Sequence, residues 1–391
     1  LMAATFAFDS SSKTGYSVSL SKNIMKVLLL GEYSNVHWTL AQGLRALGHS
    51  VTVASDGDSW KNYPRDIDLH RKSTGKTDTL DFLFRVARAL PFMRGYDVVQ
   101  LINPVFLELC PERLFPIYRF LRRHNRKVFL GAFGMDYYWV KAGLDCQTYR
   151  YSDFNIGTEV RMNPDNYRFI AEWLNGPKGE LNRFIAGDCD GIVSGLYEYD
   201  ACYRPHFPEK TQFIPFPIDL SEVTPRIPHP ETERTRFFIG IQRKRDAYKG
   251  TDIMYKALVK LATRYPDRIE IVKAESVPFA QYNRMMDHSD VLLDQLYSYT
   301  PAMNALCAMA KGLVVVGGGE EENYDILGEK ELRPIVNVFP SFDDVYAKLE
   351  ELIQHPEDIA RLSAESIQYV RRHHDHRKVA ERYVAFWKSR T

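Results

Sequence analysis

FFIGIQRKRDAYKGTDIMYKALVKLATRY, residues 237–265, carries an apolar run, a ten-residue segment with six ionic side chains, and a helical pattern in direct succession. FFIGIQ reads as a buried strand, and IMYKALVKLATRY as an amphipathic helix whose start is marked by Gly250, Thr251 and Asp252. A buried strand feeding a helix through a charged loop is a β-α unit. If that unit recurs along the chain, a parallel sheet with helices on both faces follows.

It does recur. MKVLLLGEY is followed by a segment in which Val36, Leu40, Leu44 and Leu47 keep helical spacing, Gly48 fits a helix stop, and SVTVAS alternates as a strand. YDVVQLIN, RKVFLGAFG and CDGIVSG read as further strands, with PERLFPIYRFLRRHN as a helix between the first two. Pro215 and Pro217 in FIPFPIDL interrupt the pattern, which then restarts with RTRFFIGIQ, RIEIVKAE, DVLLDQL, GLVVVGG and PIVNVF as strands. The economical organisation is two doubly wound α/β domains, 25–216 and 217–370, then a closing helical segment, 371–391. A chain of 391 residues exceeds what one hydrophobic core usually serves, in agreement with two domains.

The totals restrict function. Lys plus Arg is 51 against 50 for Asp plus Glu, so no global field favours nucleic acid, and an anion site must be a local concentration of charge. Five cysteines, Cys110, Cys146, Cys189, Cys202 and Cys307, are scattered without a C-x-x-C pair and read as reduced thiols of a cytoplasmic protein. No apolar run approaches the ~20 residues of a membrane span. The first 24 residues lack the features of a secretory signal, alternate weakly as a small hairpin, and read as an added extension before Met25.

In doubly wound sheets, ligands sit beyond the carboxyl ends of the strands. The cations Arg243, Lys244, Arg245 and Lys249 fall at such a place. Their alternative is a solvated loop with exposed ion pairs worth ~0–1 kcal/mol each. A second anion-binding feature is the helix expected to begin near Thr300, with Pro301 at its first position and the backbone N–H groups of Ala302, Met303 and Asn304 free for a phosphate. A third loop, VVVGGGEEENYDIL, has glycines Gly317 to Gly319 for close backbone approach and Glu320 to Glu322 as acceptors for hydroxyls. Phosphates want cations and N–H groups, and polyhydroxylated ligands want carboxylates. Together the three loops describe a nucleotide-sugar.

IGIQRKRDAYKGTD, SDVLLDQLYSYTPAMNALCAMAKGLVVVGGGEEE, the closing helix, GHSVTVAS and FIPFPIDL resemble the retaining, GT-B-fold glycosyltransferases that build bacterial glycans, the glycogen synthase-like group 1 type, over residues 25–391. The resemblance implies two Rossmann-like domains facing across a crevice, with a C-terminal helix crossing back to the first. It also implies metal-independent hexosyl transfer from a nucleoside diphosphate sugar to a glycan or lipid-linked hydroxyl, without a resident cofactor. Arg243 and Lys249 then clamp the diphosphate, with Lys244 or Arg245 as substitutes for the former. The family's two glutamates, separated by seven residues, are replaced by Tyr299 and Cys307, which leaves Glu322 as the substitute for the ribose contact and Gly319 and Glu320 beside it. Where relatives keep a histidine, GAFGMDYYWVK offers Asp136, which either orients sugar hydroxyls or caps the following turn. Gly31, Asn35 and His37 form the acceptor side, and His37 stands where inverting relatives keep a general base.

Three further signals have blander alternatives. DCD at 188–190 matches a metal-binding D-x-D element but precedes a strand where a turn is expected. His373, His374, Asp375 and His376 are contiguous and cannot all face one side of a helix, so Asp375 as N-cap of a second helix is preferred to a metal site. On 112–127, Leu114, Ile117, Tyr118 and Leu121 form a stripe while Arg119, Arg122, Arg123, Arg126 and Lys127 lie elsewhere. That pattern suits a core-packed helix with a solvated basic side, or docking on anionic lipid at the inner face of the membrane. Two other functions remain compatible with the pattern: a nucleotide-sugar epimerase of the same fold, and a non-catalytic sugar-nucleotide binding protein.

Overall fold

The computed structural model describes residues 24–73, 75–223, 225, 234–241, 246–275 and 277–390, the side chains of 246 and 247 aside. The expected hairpin of the extension and the candidates Arg243, Lys244 and Arg245 lie outside the described residues.

The first lobe holds strands β1 (Lys26–Leu30), β2 (Ser50–Ser55), β3 (Ile67–Asp68), β4 (Val98–Leu101), β5 (Lys127–Ala132), a small hairpin of β6 (Asn155–Ile156) and β7 (Glu159–Val160), β8 (Gly191–Ser194) and β9 (Thr211–Phe213). Its helices are α1 (Val36–Ala46), α2 (Lys76–Ala89), α3 (Pro111–His124), α4 (Tyr137–Leu144), α5 (Pro164–Phe169), α6 (Pro177–Asp188) and α7 (Tyr197–Tyr203). Seven strands form one sheet in the order β3-β2-β1-β4-β5-β8-β9, parallel throughout.

The second lobe holds β10 (Thr235–Ile241), β11 (Ile269–Glu275), β12 (Val291–Leu293), β13 (Val314–Gly317) and β14 (Ile335–Asn337), with α8 (Asp246–Lys249), α9 (Thr251–Arg264), α10 (Phe279–Asp287), α11 (Met303–Lys311), α12 (Glu321–Leu327), α13 (Phe342–Gln354) and α14 (Pro356–His373). Its parallel sheet runs β11-β10-β12-β13-β14. Val27 through Leu30 and Val314 through Val316 are buried on alternating sides without exception, because helices cover both faces of each sheet. This is the two-sheet α/β architecture anticipated from the repeating β-α pattern. The edge strands β3 and β9, two and three residues long, had no pattern to betray them.

The last helix, α15 (His376–Ser389), packs on α1 of the first lobe. A Cβ on Gly43 would lie 2.2 Å from the His376 carbonyl oxygen, so only glycine admits this approach. Trp387 Nε1 donates to Gln100 Oε1 at 3.3 Å, and Phe386 meets Phe129 edge-on. The two chain crossings between lobes bond to each other. Ile218 N donates to the His374 carbonyl at 2.6 Å, His376 N to the Ile218 carbonyl at 3.0 Å, and His374 Nδ1 to the Phe216 carbonyl at 2.9 Å.

The histidine cluster is part of this crossing. Asp375 caps α15 by accepting from Arg377 N at 2.8 Å, His373 Nε2 meets Glu329 at 2.6 Å, and His374 faces the linker, so the side chains diverge. Among the described residues no group of His, Cys, Asp and Glu is arranged to hold a metal ion.

Candidate functional site

The carboxyl ends of both sheets face one crevice. On the second lobe Lys249, at the end of α8, lies near Asp294, which immediately follows β12. Burial pushes the Asp294 carboxyl upward, while Lys249 and Asn304 oppose that rise. Asn304 Nδ2 donates to Asp294 at 2.9 Å, and Asn304 Oδ1 accepts from the Tyr282 hydroxyl at 3.1 Å. The Asn304 side chain is therefore held by the protein, and what its helix turn offers a ligand is backbone. Ala302, the N-cap of α11, has no side chain that can accept from the helix's first amides, and the positive end of the helix dipole lies at this turn.

The helix begins at Met303, three residues after the expected Thr300. The reason is Glu198, in α7 of the first lobe. Its buried carboxylate accepts from Tyr299 N at 2.7 Å, Thr300 N at 3.2 Å, the Thr300 hydroxyl at 2.5 Å and the Ser298 hydroxyl at 3.3 Å. These bonds hold 298–300 outside the helix, and Thr300, 3% exposed, is a tether between lobes rather than a ligand contact. Burial raises the Glu198 pKa, against the Thr300 hydroxyl and the two amides.

The glycine loop is likewise used internally. A Cβ on Gly318 would stand 2.2 Å from the Ser298 carbonyl oxygen, and Gly319 N donates to Asn337 Oδ1 at 3.0 Å. The close approach that glycine permits is to the neighbouring loop. Glu320 accepts from the Tyr151 hydroxyl at 2.6 Å and pairs with Arg150 at 2.9 Å; Glu322 also pairs with Arg150. Burial would raise the Glu322 pKa, but the Arg150 hydrogen bond outweighs it and holds the carboxyl below its usual value. Arg150 lies 4.9 Å from the centroid of the Tyr299 ring, and its backbone N–H donates to the Tyr299 hydroxyl at 2.7 Å. The acids expected to accept sugar hydroxyls instead join the first lobe's excursion around β6 and β7 to the second lobe. Tyr248 donates to Asp153 at 2.7 Å in the same seam.

On the first lobe, Gly31 has φ +86° and no room for a side chain, since a Cβ would meet Ile102 at 2.3 Å. His37 is wholly buried. Its Nδ1 lies 2.8 Å from the Gly31 carbonyl, which can only accept, so Nδ1 carries the proton and Nε2 is a bare acceptor with no partner among the described residues. Burial pushes its pKa down to about 3. Asn35 has φ +69° at the N-cap of α1 and a buried, unpartnered Oδ1. Between them Glu32 accepts from His37 N at 3.2 Å and Trp38 N at 2.8 Å, and burial pushes its carboxyl up to about 8. Tyr63 and Trp60 reach across the crevice to meet Phe279 edge-on, with centroids 5.6 and 6.2 Å away.

Asp136 takes the capping alternative. It accepts from Trp139 N at 2.9 Å and the Tyr203 hydroxyl at 2.7 Å, is 0% exposed, and has its pKa pushed up to about 6 by burial. A carboxylate so enclosed is not presented to a sugar. Asp188 and Asp190 of the D-x-D match are both bound by Arg122, at 2.9 and 2.6 Å.

Glu198, Arg150, Tyr151 and Glu32 escaped the sequence reading. Nothing local marks them: Glu198 finds its partners about a hundred residues downstream. Asp294 was findable as an acid at the carboxyl end of a buried strand.

Residues 235–385 match the family described as glycosyl transferase-like. No curated protein sequence matches the chain. Among solved structures it is similar to sucrose-phosphate synthase from Thermosynechococcus elongatus, with 13% identity over 93% of this chain and 98% of that one and a TM-score of 0.61. It is also similar to Anabaena HepE in complex with UDP and glucose, with 12% identity over 93% and 100% and a TM-score of 0.56. A third is a putative UDP-N-acetylglucosamine 2-epimerase from Listeria monocytogenes, with 10% identity over 94% and 96% and a TM-score of 0.54. The chain has the GT-B fold: two Rossmann-like domains across a crevice.

Proposed function

We propose that this chain is a metal-independent hexosyltransferase, moving a sugar from a nucleoside diphosphate donor to a hydroxyl of a saccharide or lipid-linked acceptor with retained configuration. The observation that carries the reading is that Lys249 and Asn304, in the first turn of α11, both meet Asp294 at the carboxyl edge of the second sheet. A cation beside a helix N-terminus suits a diphosphate, and the pair would stabilise negative charge developing on the leaving oxygen as the glycosidic bond breaks. Asp294 orients this corner through Asn304, and Glu198 fixes the approach to α11. Trp60, 57% exposed, and Tyr63 on the first lobe meet Phe279 of the second, giving apolar surface for a sugar face.

Retention is the assigned outcome because His37, standing where an inverting enzyme keeps its base, is sealed from the crevice. Five unpaired thiols fit a cytoplasmic site of action. The family match to the second lobe and the two-lobed plan support the same reading, and the epimerase-like neighbour makes donor isomerisation the rival.

The test is incubation with labelled UDP-, GDP- and ADP-hexoses, with and without sugar acceptors. Product with a retained anomeric signal, formed only when acceptor is present, is expected. An isomeric nucleotide-sugar made without acceptor identifies an epimerase, and tight donor binding without turnover a binding protein.

A further inference from the structure

Helix α2 is apolar on two opposite sides, and only one of them is explained. Phe82, Val86 and Ala89 pack into the first lobe's core. On the other side Lys76, Leu80, Phe84 and Arg88 follow one another at i, i+4 spacing along a single stripe. Leu80 and Phe84 are each 67% exposed, as is Phe92 in the turn that follows. These are three of the largest exposed apolar side chains of the described residues, gathered within 13 positions.

The surrounding charge is predominantly basic. Over residues 71–94 the basic residues are Arg71, Lys72, Lys76, Arg85, Arg88 and Arg94, six against the two acids Asp78 and Asp81, a net +4 in a chain whose total is +1. Asp81 is already paired with Arg85 at 3.1 Å. Beside the stripe lies an open groove of about 630 Å³ whose charged lining is Lys26, Arg85, Arg88 and Arg94 against the single acid Asp68, with Phe92 at its edge. Arg85 Nε is buried there without a hydrogen-bond acceptor.

We propose that α2 and the turn after it dock on an anionic lipid surface, with Leu80, Phe84 and Phe92 entering the acyl boundary and the groove cations binding phosphate headgroups. An apolar stripe bounded by cations matches the bilayer interface in both chemistry and geometry. A second copy of the chain is a poor occupant, because a two-fold contact would set two +4 faces against each other. The inference relocates the lipid contact expected on α3. That helix buries Leu114, Ile117, Tyr118 and Leu121 and commits Arg122 to Asp188 and Asp190, so it has no apolar face to insert. It does not rest on sugar transfer.

The test is co-sedimentation of the full chain with phosphatidylglycerol–phosphatidylcholine vesicles and with pure phosphatidylcholine vesicles. Binding to the anionic vesicles alone is expected, with at least a tenfold loss in Leu80→Ser/Phe84→Ser and about a fivefold loss for each of Arg88→Ala and Arg94→Ala. Arg119→Ala/Arg123→Ala on α3 serves as a control and should bind undiminished. Thermal unfolding of each variant should match the parent, since all these side chains are exposed. No association with anionic vesicles, undiminished association of the Leu80→Ser/Phe84→Ser protein, or loss in the α3 control equal to that on α2 overturns the proposal. So does a lipid-free dimer that Phe84→Ser dissolves.

Discussion

Replacing Glu198 with alanine tests whether the donor corner is held from the opposite lobe. The substitution removes one carboxylate and strands Tyr299 N, Thr300 N and the Thr300 hydroxyl, in a seam where Tyr299 is 2% and Thr300 3% exposed. Each buried donor left without a partner costs ~1–3 kcal/mol. Three of them sum to more than the loop would tolerate without relaxing, and the loss after relaxation should fall near ~3–5 kcal/mol, the range for breaking a buried charged contact. Glu198→Gln retains one acceptor oxygen and should cost only ~1–2 kcal/mol. Urea unfolding followed by tryptophan fluorescence measures both, and titration with nucleoside diphosphates reports whether the loop leading into α11 has lost its position. Affinity should drop in the alanine variant and largely recover in the glutamine one, since Glu198 acts through the loop and not on the ligand. A loss below ~1 kcal/mol for Glu198→Ala, or equal effects of the two substitutions, would refute the tether.

Lys249→Ala should weaken nucleoside diphosphate binding by about 10- to 150-fold, the equivalent of one charge-assisted bond of ~1.5–3 kcal/mol, as read by calorimetry; unchanged affinity removes the cation from the site. Gly318→Ala should destabilise the protein by ~1–3 kcal/mol in the same urea assay, because a Cβ 2.2 Å from the Ser298 carbonyl presses on backbone, which cannot swing aside; a neutral effect would mean that the two loops are not in contact. Acid should destabilise through His37 and His374, both buried neutral with pKa values pushed down to about 3. A depressed histidine contributes stability that is complete above the unfolded value of ~6.5 and is lost as pH falls from there towards 3. Between pH 7.5 and 5.5 each histidine should cost ~1.4 kcal/mol, but the buried Glu32 and Asp136 carboxyls, raised to about 8 and about 6, gain ~2.5 and ~0.8 kcal/mol over the same range, so the histidine contribution is read from the difference between the parent and His374→Gln profiles; an unchanged pH dependence on that substitution contradicts the burial.

Much of the fold was readable because its signal is local and repeated. In MKVLLLGEY every residue from Val27 to Leu30 is buried, and only a strand covered on both faces does that. The candidate site was readable in part, for the same reason. Lys249 and α11 lie at strand ends, where connectivity alone places them at the crevice. The residues that join the lobes had no such mark. Arg150, Tyr151 and Glu198 sit in stretches with no periodicity of their own, and their partners, Glu320, Glu322, Tyr299 and Thr300, belong to the other lobe. The acids that look most available to a ligand in GGGEEE are those the protein itself engages. A polar cluster at the mouth of a crevice has two candidate partners, a substrate and the facing lobe, and residue types satisfy both equally. Burial separates them. Glu198 and Thr300 are enclosed and bonded to each other across the seam, whereas Ala302, at the start of α11, has no side chain to cap the helix amides. In the proposed donor site, the inter-lobe contacts therefore matter as much as the groups left to a ligand.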